Sequence, residues 1–187
     1  MLSNKRPVLF IKPTKTGHIE VYMGKDKQGN KQTATYDQVT GKVLSVQHVT
    51  SEWEGKPINK WQIRMQDANN DAVLTVGESG GFTKGLLNSL CSADLTQPVT
   101  IGCYLQNDFM CASVSQNNQL VKWKYQSPPK SEKVVVGSKE VYDDSKVVAW
   151  LHDLAEEINK KIESQPLPDL PAGFEAQPPD ETDILPF

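Results

Sequence analysis

The chain predicts a mainly β protein, a small barrel of five or six strands with one short helix, followed by an amphipathic helix and a disordered tail. Three observations carry this. Residues 35–125 are enriched in Val, Ile, Thr and aromatics with period-2 alternation, the mark of half-buried strands. Within them only Gly81 to Cys91 places apolar residues (Phe82, Leu86, Leu87, Leu90) at helical spacing. Past Tyr125 the composition turns from β-rich to Pro-rich and acidic.

Taken in order, residues 8–11 and 18–23 read as two short strands around the turn-prone stretch Pro13 to Gly17, and Gly24 to Lys31 as a polar, basic loop. Strands follow near 35–50, 57–67 and 72–77, then the helix, then strands near 98–106, 109–115 and 119–125. Gly41, inside the first long strand, permits a sharp bend from one side of a barrel to the other. Three strands, a helix and two or three further strands is the element order of an OB-fold, in which five strands close and a helix fills the gap after the third. Small barrels of other topology fit the same order. Residues 1–126 are expected to form this unit.

Residues 127–143 open on Ser127-Pro128-Pro129-Lys130 and read as a linker, with Val134 to Val136 either an added strand or part of the connection. Asp143, Asp144 and Ser145 supply caps for a helix over 144–163. Val147, Leu151, Leu154, Ile158 and Ile162 fall on one stripe, and Lys160 and Lys161 near its end suit the macrodipole. That stripe must be covered, by the barrel or by a second copy. Residues 164–187 hold six of the chain's twelve prolines, few bulky apolar groups and an excess of acid. Such a segment cannot bury enough surface to offset its ordering entropy.

At 187 residues the chain is long enough for one core with appendages. Its mild net charge of −3 hides a polarity: residues 1–130 carry 15 basic against 10 acidic side chains, and residues 131–187 carry 5 against 13. The overall balance by itself argues against a nucleic-acid partner, but halves of opposite sign are the asymmetry expected of a basic body with an acidic tail. Cys91, Cys103 and Cys111 form no C-x-x-C pair, and the run Val8 to Ile11 is too short for a signal sequence, so reduced thiols in a soluble cytoplasmic protein are expected. No run reaches membrane-spanning length, and neither metal-ligand spacing nor a phosphate-binding loop is present. No cofactor is implied.

Candidate binding residues follow from what holds a single strand: cations along the phosphates and aromatic faces under the bases. In an OB-fold these gather on strands two and three and on the loops joining strands one–two and four–five. Trp53 lies beside Gly55 in the polar one–two loop Thr50 to Lys56, hard to explain as core, although Glu52 and Glu54 beside it repel phosphate. Phe109 follows the Asn107-Asp108 turn. In strand two, Lys60 and Arg64 alternate with Trp61, Ile63 and Met65; the latter set reads as core, with Trp61 a candidate for either role. Lys56 precedes them. Over 121–125, Lys122 and Lys124 alternate with Trp123 and Tyr125, which suits a binding rim and equally an edge strand with its aromatics packed inward. Tyr104 points opposite to Ile101, Cys103 and Leu105 and offers another outward face. Lys25, Lys27, Lys31, Lys42 and Lys84 add charge around these positions. No recognition helix or zinc-finger spacing for sequence-specific DNA reading is present.

One motif points elsewhere. Gly77-Glu78-Ser79-Gly80-Gly81 matches G-x-S-x-G between a strand and a helix, the context of a nucleophile elbow, with His152 as a conceivable base. The chain is too short for the wound α/β sheet that shapes such an elbow, and its strands do not alternate with helices. A Gly-rich turn into the helix is the expected role, and no catalytic constellation emerges.

The chain closes on Asp180-Glu181-Thr182-Asp183-Ile184-Leu185-Pro186-Phe187. An apolar peg behind three carboxylates suits capture by a basic-rimmed apolar pocket. This ending resembles the acidic C-terminal tip of bacterial and phage single-stranded DNA-binding proteins, with Leu185 standing between the family's Ile and Pro-Phe. The resemblance rests on the last eight residues and, for the body, on architecture; the helix over 144–163 departs from the cellular tetramer and favours a divergent, phage-type member acting in a bacterial host cell. It implies a barrel that coats single-stranded DNA in replication, recombination or repair. It also implies a tip (Asp180, Glu181, Asp183, Ile184, Leu185, Pro186 and Phe187) that recruits partner enzymes. A homo-oligomer is open, as are an adaptor that binds only proteins and an RNA-binding barrel. The charge split adds that the acidic segment competes with DNA for the basic body. Deleting residues 164–187 is then expected to tighten binding to an oligo-dT strand, most at low salt, and unchanged affinity would contradict it. Phe187→Ala is expected to abolish recovery of partner proteins from a cell lysate while DNA affinity stays intact.

Overall fold

The computed structural model describes residues 6–165. The expected tip and nearly all of the expected tail, residues 166–187, lie outside the described residues.

The elements run β1 (Val8–Pro13), β2 (Ile19–Lys25), β3 (Lys31–Tyr36), β4 (Gln38–Trp53), β5 (Lys56–Gln66), β6 (Asp71–Gly77), α1 (Gly81–Leu90), β7 (Val99–Gln106), β8 (Phe109–Gln116), β9 (Gln119–Leu120), β10 (Glu132–Val136), β11 (Lys139–Asp143) and α2 (Ser145–Glu163). The protein is mainly β with two helices. Nine strands form one sheet in the order β3-β2-β1-β6-β5-β4-β7-β8-β9, and β10 and β11 pair separately.

β4 is the strand on which this sheet turns. Residues 38–41 pair with β7, ending at Gly41 opposite Val99. From Lys42 onward the strand pairs with β5 instead, through a bulge between Val43 and Ser45. The bend expected at Gly41 is therefore a change of partner. A Cβ at Gly41 would stand 3.0 Å from the Gln66 carbonyl oxygen, so the close approach of β5 requires glycine there. Two-residue turns with both residues at positive φ (Glu54-Gly55, Asn107-Asp108, Asn117-Asn118) close the β4–β5, β7–β8 and β8–β9 hairpins, matching the right-handed strand twist.

The ladders β4–β5, β5–β6, β4–β7 and β7–β8 follow the expected order, but the sheet is open rather than a closed barrel. The edge of β6 is occupied by β1, which runs parallel to it from Val8 opposite Asp71 to Ile11 opposite Leu74. The edge that a closed barrel would need for its last ladder is thus taken by an N-terminal meander whose Ile11, Ile19 and Val21 extend the core. The ribbon still curls. One residue, Asp37, joins β3 to β4, and its carbonyl accepts from the Cys103 amide of β7. The Thr14–Gly17 turn reaches the same place, with Gly17 against Leu105.

Two further expectations change, and the open reading of Val134 to Val136 is decided in favour of an added strand. The basic loop shrinks to a turn at 26–30 held by the Asp26 carboxylate, because Lys31 already begins β3. The expected strand over 119–125 stops at Leu120: Asn88 of α1 binds Tyr125 at both its amide and its carbonyl and accepts Lys124's amide, pulling the chain off the sheet. The 127–143 stretch contains the β10–β11 hairpin.

Helix α1 is buried at eight of its ten positions, because β8 covers one side and α2 another. α2 lays Val147, Leu151, Leu154, Ala155 and Ile158 on β4 and α1, so the body of the same chain covers its apolar stripe. Asn159 fixes its register. Its side-chain oxygen accepts the Val46 amide at 2.9 Å and its amide donates to the Val46 carbonyl at 2.8 Å, satisfying the edge that β4 leaves open after parting from β7. At the far end the Lys161 ammonium caps the Cys91 carbonyl at the close of α1. Burial pushes the Cys91 thiol up to about 12, with the Glu157 carboxylate adding to the shift. Asn159→Ala is expected to cost about 2 kcal/mol of unfolding free energy by orphaning both Val46 groups, read as a lowered denaturant midpoint at unchanged slope.

Candidate nucleic-acid interface

Strand alternation sorts the side chains of β5 cleanly. Trp61, Ile63 and Met65 point inward and are buried, while Lys60, Gln62 and Arg64 point outward. The outward row can be followed through the ladders. Ser45 lies opposite Arg64, Arg64 opposite Val73, Val73 opposite Phe10, Phe10 opposite Tyr22 and Tyr22 opposite Thr33. Residues directly opposite share a face, so Arg64, Phe10 and Tyr22 lie on one outer surface. Arg64 and Tyr22 are about 14 Å apart across three strand spacings.

The same face continues along the β4–β5 hairpin. Lys60 is opposite Val49, and Lys56 is opposite Trp53 at the tip. Trp53 is 66% exposed, held out by the Glu54-Gly55 turn. From Arg64 to Lys56 the face runs about 26 Å at strand rise. Lys56, Lys60 and Arg64 make no ion pair with another described residue, while Lys12 nearby is paired with Glu20 at 2.9 Å and Asp71 accepts from Gln66. The surface thus carries rings at Trp53, Phe10 and Tyr22 beside Lys56, Lys60 and Arg64; Glu20 and Asp71 on it are engaged, while Glu52 and Glu54 flank Trp53 without an ion pair to another described residue.

A second aromatic group lies where β7, β8 and α1 meet. Tyr104 is exposed and directly opposite Cys111, and Phe109 at the hairpin tip is 73% exposed. Burial and the neighbouring Cys111 push the Tyr104 hydroxyl's pKa above its ordinary range. Trp123 packs its ring edge over Gly85, leaving much of the ring in a groove of about 550 Å³. Lys84 and Lys130 are the cations that line this groove, together with Tyr104, Gln126 and the Pro128-Pro129 step. Lys122 is exposed on the far side of the segment, beside Gln116 and Gln119. The Thr14–Gly17 turn, packed against Tyr104 and Leu105, lies between this groove and the outer face of β1 and β2.

Three sequence candidates are otherwise engaged. Trp61 is 1% exposed, its ring amide donating to the Glu78 carbonyl at 2.9 Å, so it is a core residue and presents no face to a ligand. Lys124 is paired with Glu157 of α2 at 2.6 Å, and that hydrogen bond raises its pKa. Tyr125 reaches the same carboxylate at 3.3 Å and packs edge-on against Trp150. Lys124 and Tyr125 therefore fasten α2 to the body. Phe10 and Tyr22 were missed because nothing in the sequence announces the parallel β1–β6 ladder that brings them beside Arg64.

The G-x-S-x-G stretch forms the turn from β6 into α1. The Ser79 hydroxyl donates to the Asp144 carboxylate, which Ser131 also binds; these bonds hold that carboxyl below its ordinary range and tie the start of α2 to the start of α1. His152 packs edge-on against His48 and at a tilt against Trp61, and His48 bonds Glu78 at 3.2 Å. The serine's partner is thus a carboxylate, and the imidazoles belong to a separate ring cluster. Among the described residues no group of His, Cys, Asp and Glu is arranged to hold a metal ion, and no helix is long and apolar enough to cross a membrane.

No protein-family model, curated protein or solved structure matches this chain.

Proposed function

We propose that this protein binds single-stranded DNA without sequence preference and that its C-terminal tip recruits enzymes acting on that DNA. The observation that carries the reading is the outer face of β5, β6, β1 and β2, where Trp53, Phe10 and Tyr22 stand among the unpaired cations Lys56, Lys60 and Arg64. Rings that accept any base and cations that follow the backbone are the requirements of a sequence-tolerant single-strand track. We read β4 to β8 with α1 as an OB-type unit whose closing ladder is replaced by the N-terminal meander. Its strands two and three are then β5 and β6, the strands that carry the track. Tyr104, Phe109, Lys84 and Trp123 form a second arc, reached past the Thr14–Gly17 turn. The acidic, apolar ending from Asp180 to Phe187 supports the recruiting role by its resemblance to the family's tip. The protein would act in the cytoplasm during replication, recombination or repair, with no cofactor.

Titration with oligo-dT, followed by tryptophan fluorescence at two salt concentrations, tests the reading. Quenching by the single strand, weakened by salt and nearly absent with duplex, is expected. Trp53→Ala should weaken binding about tenfold through a lost stack. Lys60→Ala with Arg64→Ala should lower the slope of log affinity against log salt by about 1.4, the share of two phosphate contacts to a single strand. No response to the single strand sinks the proposal; an unchanged salt slope in the double variant moves the track off this face. Oligo-dT against oligo-U separates DNA from RNA as the preferred strand.

A further inference from the structure

The β10–β11 hairpin stands apart from the nine-stranded sheet, and no other described strand pairs with either of its edges. A lone two-stranded ribbon is marginal in water. This one also exposes large apolar groups on both faces: Val135 is 72% and Tyr142 67% exposed on one, with Val136 and Val141 exposed on the other. All five residues of β11 are exposed. β10 is tied at its start, where Glu132 is held by Lys146 and Ser131 by Asp144.

The register of the hairpin dictates which groups its free edge offers. Val136 and Lys139 flank the two-residue turn and form a hydrogen-bonded pair. Alternation makes Val134 and Val141 the next such pair, and turns the N–H and C=O of Glu140 and Tyr142 outward along the β11 edge.

We propose that this edge pairs with the same edge of a second copy, β11 against β11 and antiparallel, with Val141 on the two-fold axis. In that register Glu140 and Tyr142 meet Tyr142 and Glu140 of the second copy, so the outward main-chain groups of each find partners. Val141 faces Val141, and Lys139 stands opposite Asp143 at both ends, on one face of the new sheet. The Asp143 carboxyl, held below its ordinary range by Ser145, is charged at neutral pH and complements the lysine. The competing arrangement through β10, centred on Val134, sets Glu132 against Val136 and Lys133 against Val135 and matches no charge. The product is a four-stranded sheet in which Val134, Val136 and Val141 of both copies share one face, past the strand number at which such a ribbon becomes stable. It is a small isologous interface, so the dimer is weak and dependent on concentration.

Sedimentation velocity on the full chain without DNA, over about a 100-fold range of concentration, tests this. A monomer–dimer equilibrium is expected. Val141→Lys, which sets two like charges face to face, should weaken it at least about tenfold. Val141→Cys should form an interchain disulfide on mild oxidation, since facing residues at a non-hydrogen-bonded position are about 4.5 Å apart at Cα, within reach of the bond. The wild-type chain under the same oxidation controls for Cys111. A chain that stays monomeric and a Val141→Cys variant that does not cross-link would overturn the proposal, leaving the edge for a different partner. So would a dimer that survives Val141→Lys without cross-linking through residue 141.

Discussion

Everything in this fold depends on β4 serving two partners. A 16-residue strand that stayed flat would extend one sheet in one direction. By leaving β7 at Gly41 and taking β5 from Lys42, it sets the two halves of the sheet at an angle and encloses Val43, Val46, Ile63, Val99 and Ile101 between them. The cost is an unpaired edge on each half. Asn159 meets one such edge at Val46, which is why a helix so far along the chain docks there and not elsewhere. Shape and helix placement are two results of one change of partner.

That arrangement also divides the surface. The inner side of the curled sheet is filled by α1, α2 and side chains such as Trp61, whose ring amide is anchored at Glu78. The outer side of β5, β6, β1 and β2 faces solvent; Lys12 there is paired with Glu20, while Lys56, Lys60 and Arg64 make no ion pair with another described residue. On the α2 side the lysines are engaged, Lys124 with Glu157 and Lys161 with the Cys91 carbonyl. A basic residue on this protein therefore cannot be assigned a role from its charge alone. Its neighbours across the sheet decide whether it fastens a helix or stays available.

Much of this was legible in the sequence. The order of β4 to β8 with α1 between β6 and β7 follows from alternation and one helical stripe, and Gly41 marked its own bend. The inward and outward sets of β5 were right because strand alternation is strictly local. What was hidden depends on contacts between distant residues. Val8 to Ile11 reads as a short strand, but its parallel pairing with β6, and hence the placing of Phe10 and Tyr22 beside Arg64, has no local signal. Asn88 was hidden inside a buried helix, where a side-chain amide that binds the backbone of Tyr125 looks like any other polar residue. Alternation over 121–125 imitated a strand because two lysines and two aromatics happen to interleave there.

The parallel pairing of β1 with β6 has a consequence for how the protein is made. Val8 meets Asp71, 63 positions later in the chain, whereas β2 and β3 follow β1 directly. At ordinary translation rates the first three strands leave the ribosome several seconds before their parallel partner. Over that interval the meander has nothing against which to bury Ile11, Ile19 and Val21. Burial of those side chains waits on β6, so the ordering of the N-terminal strands follows the emergence of residues 71–77 instead of preceding it.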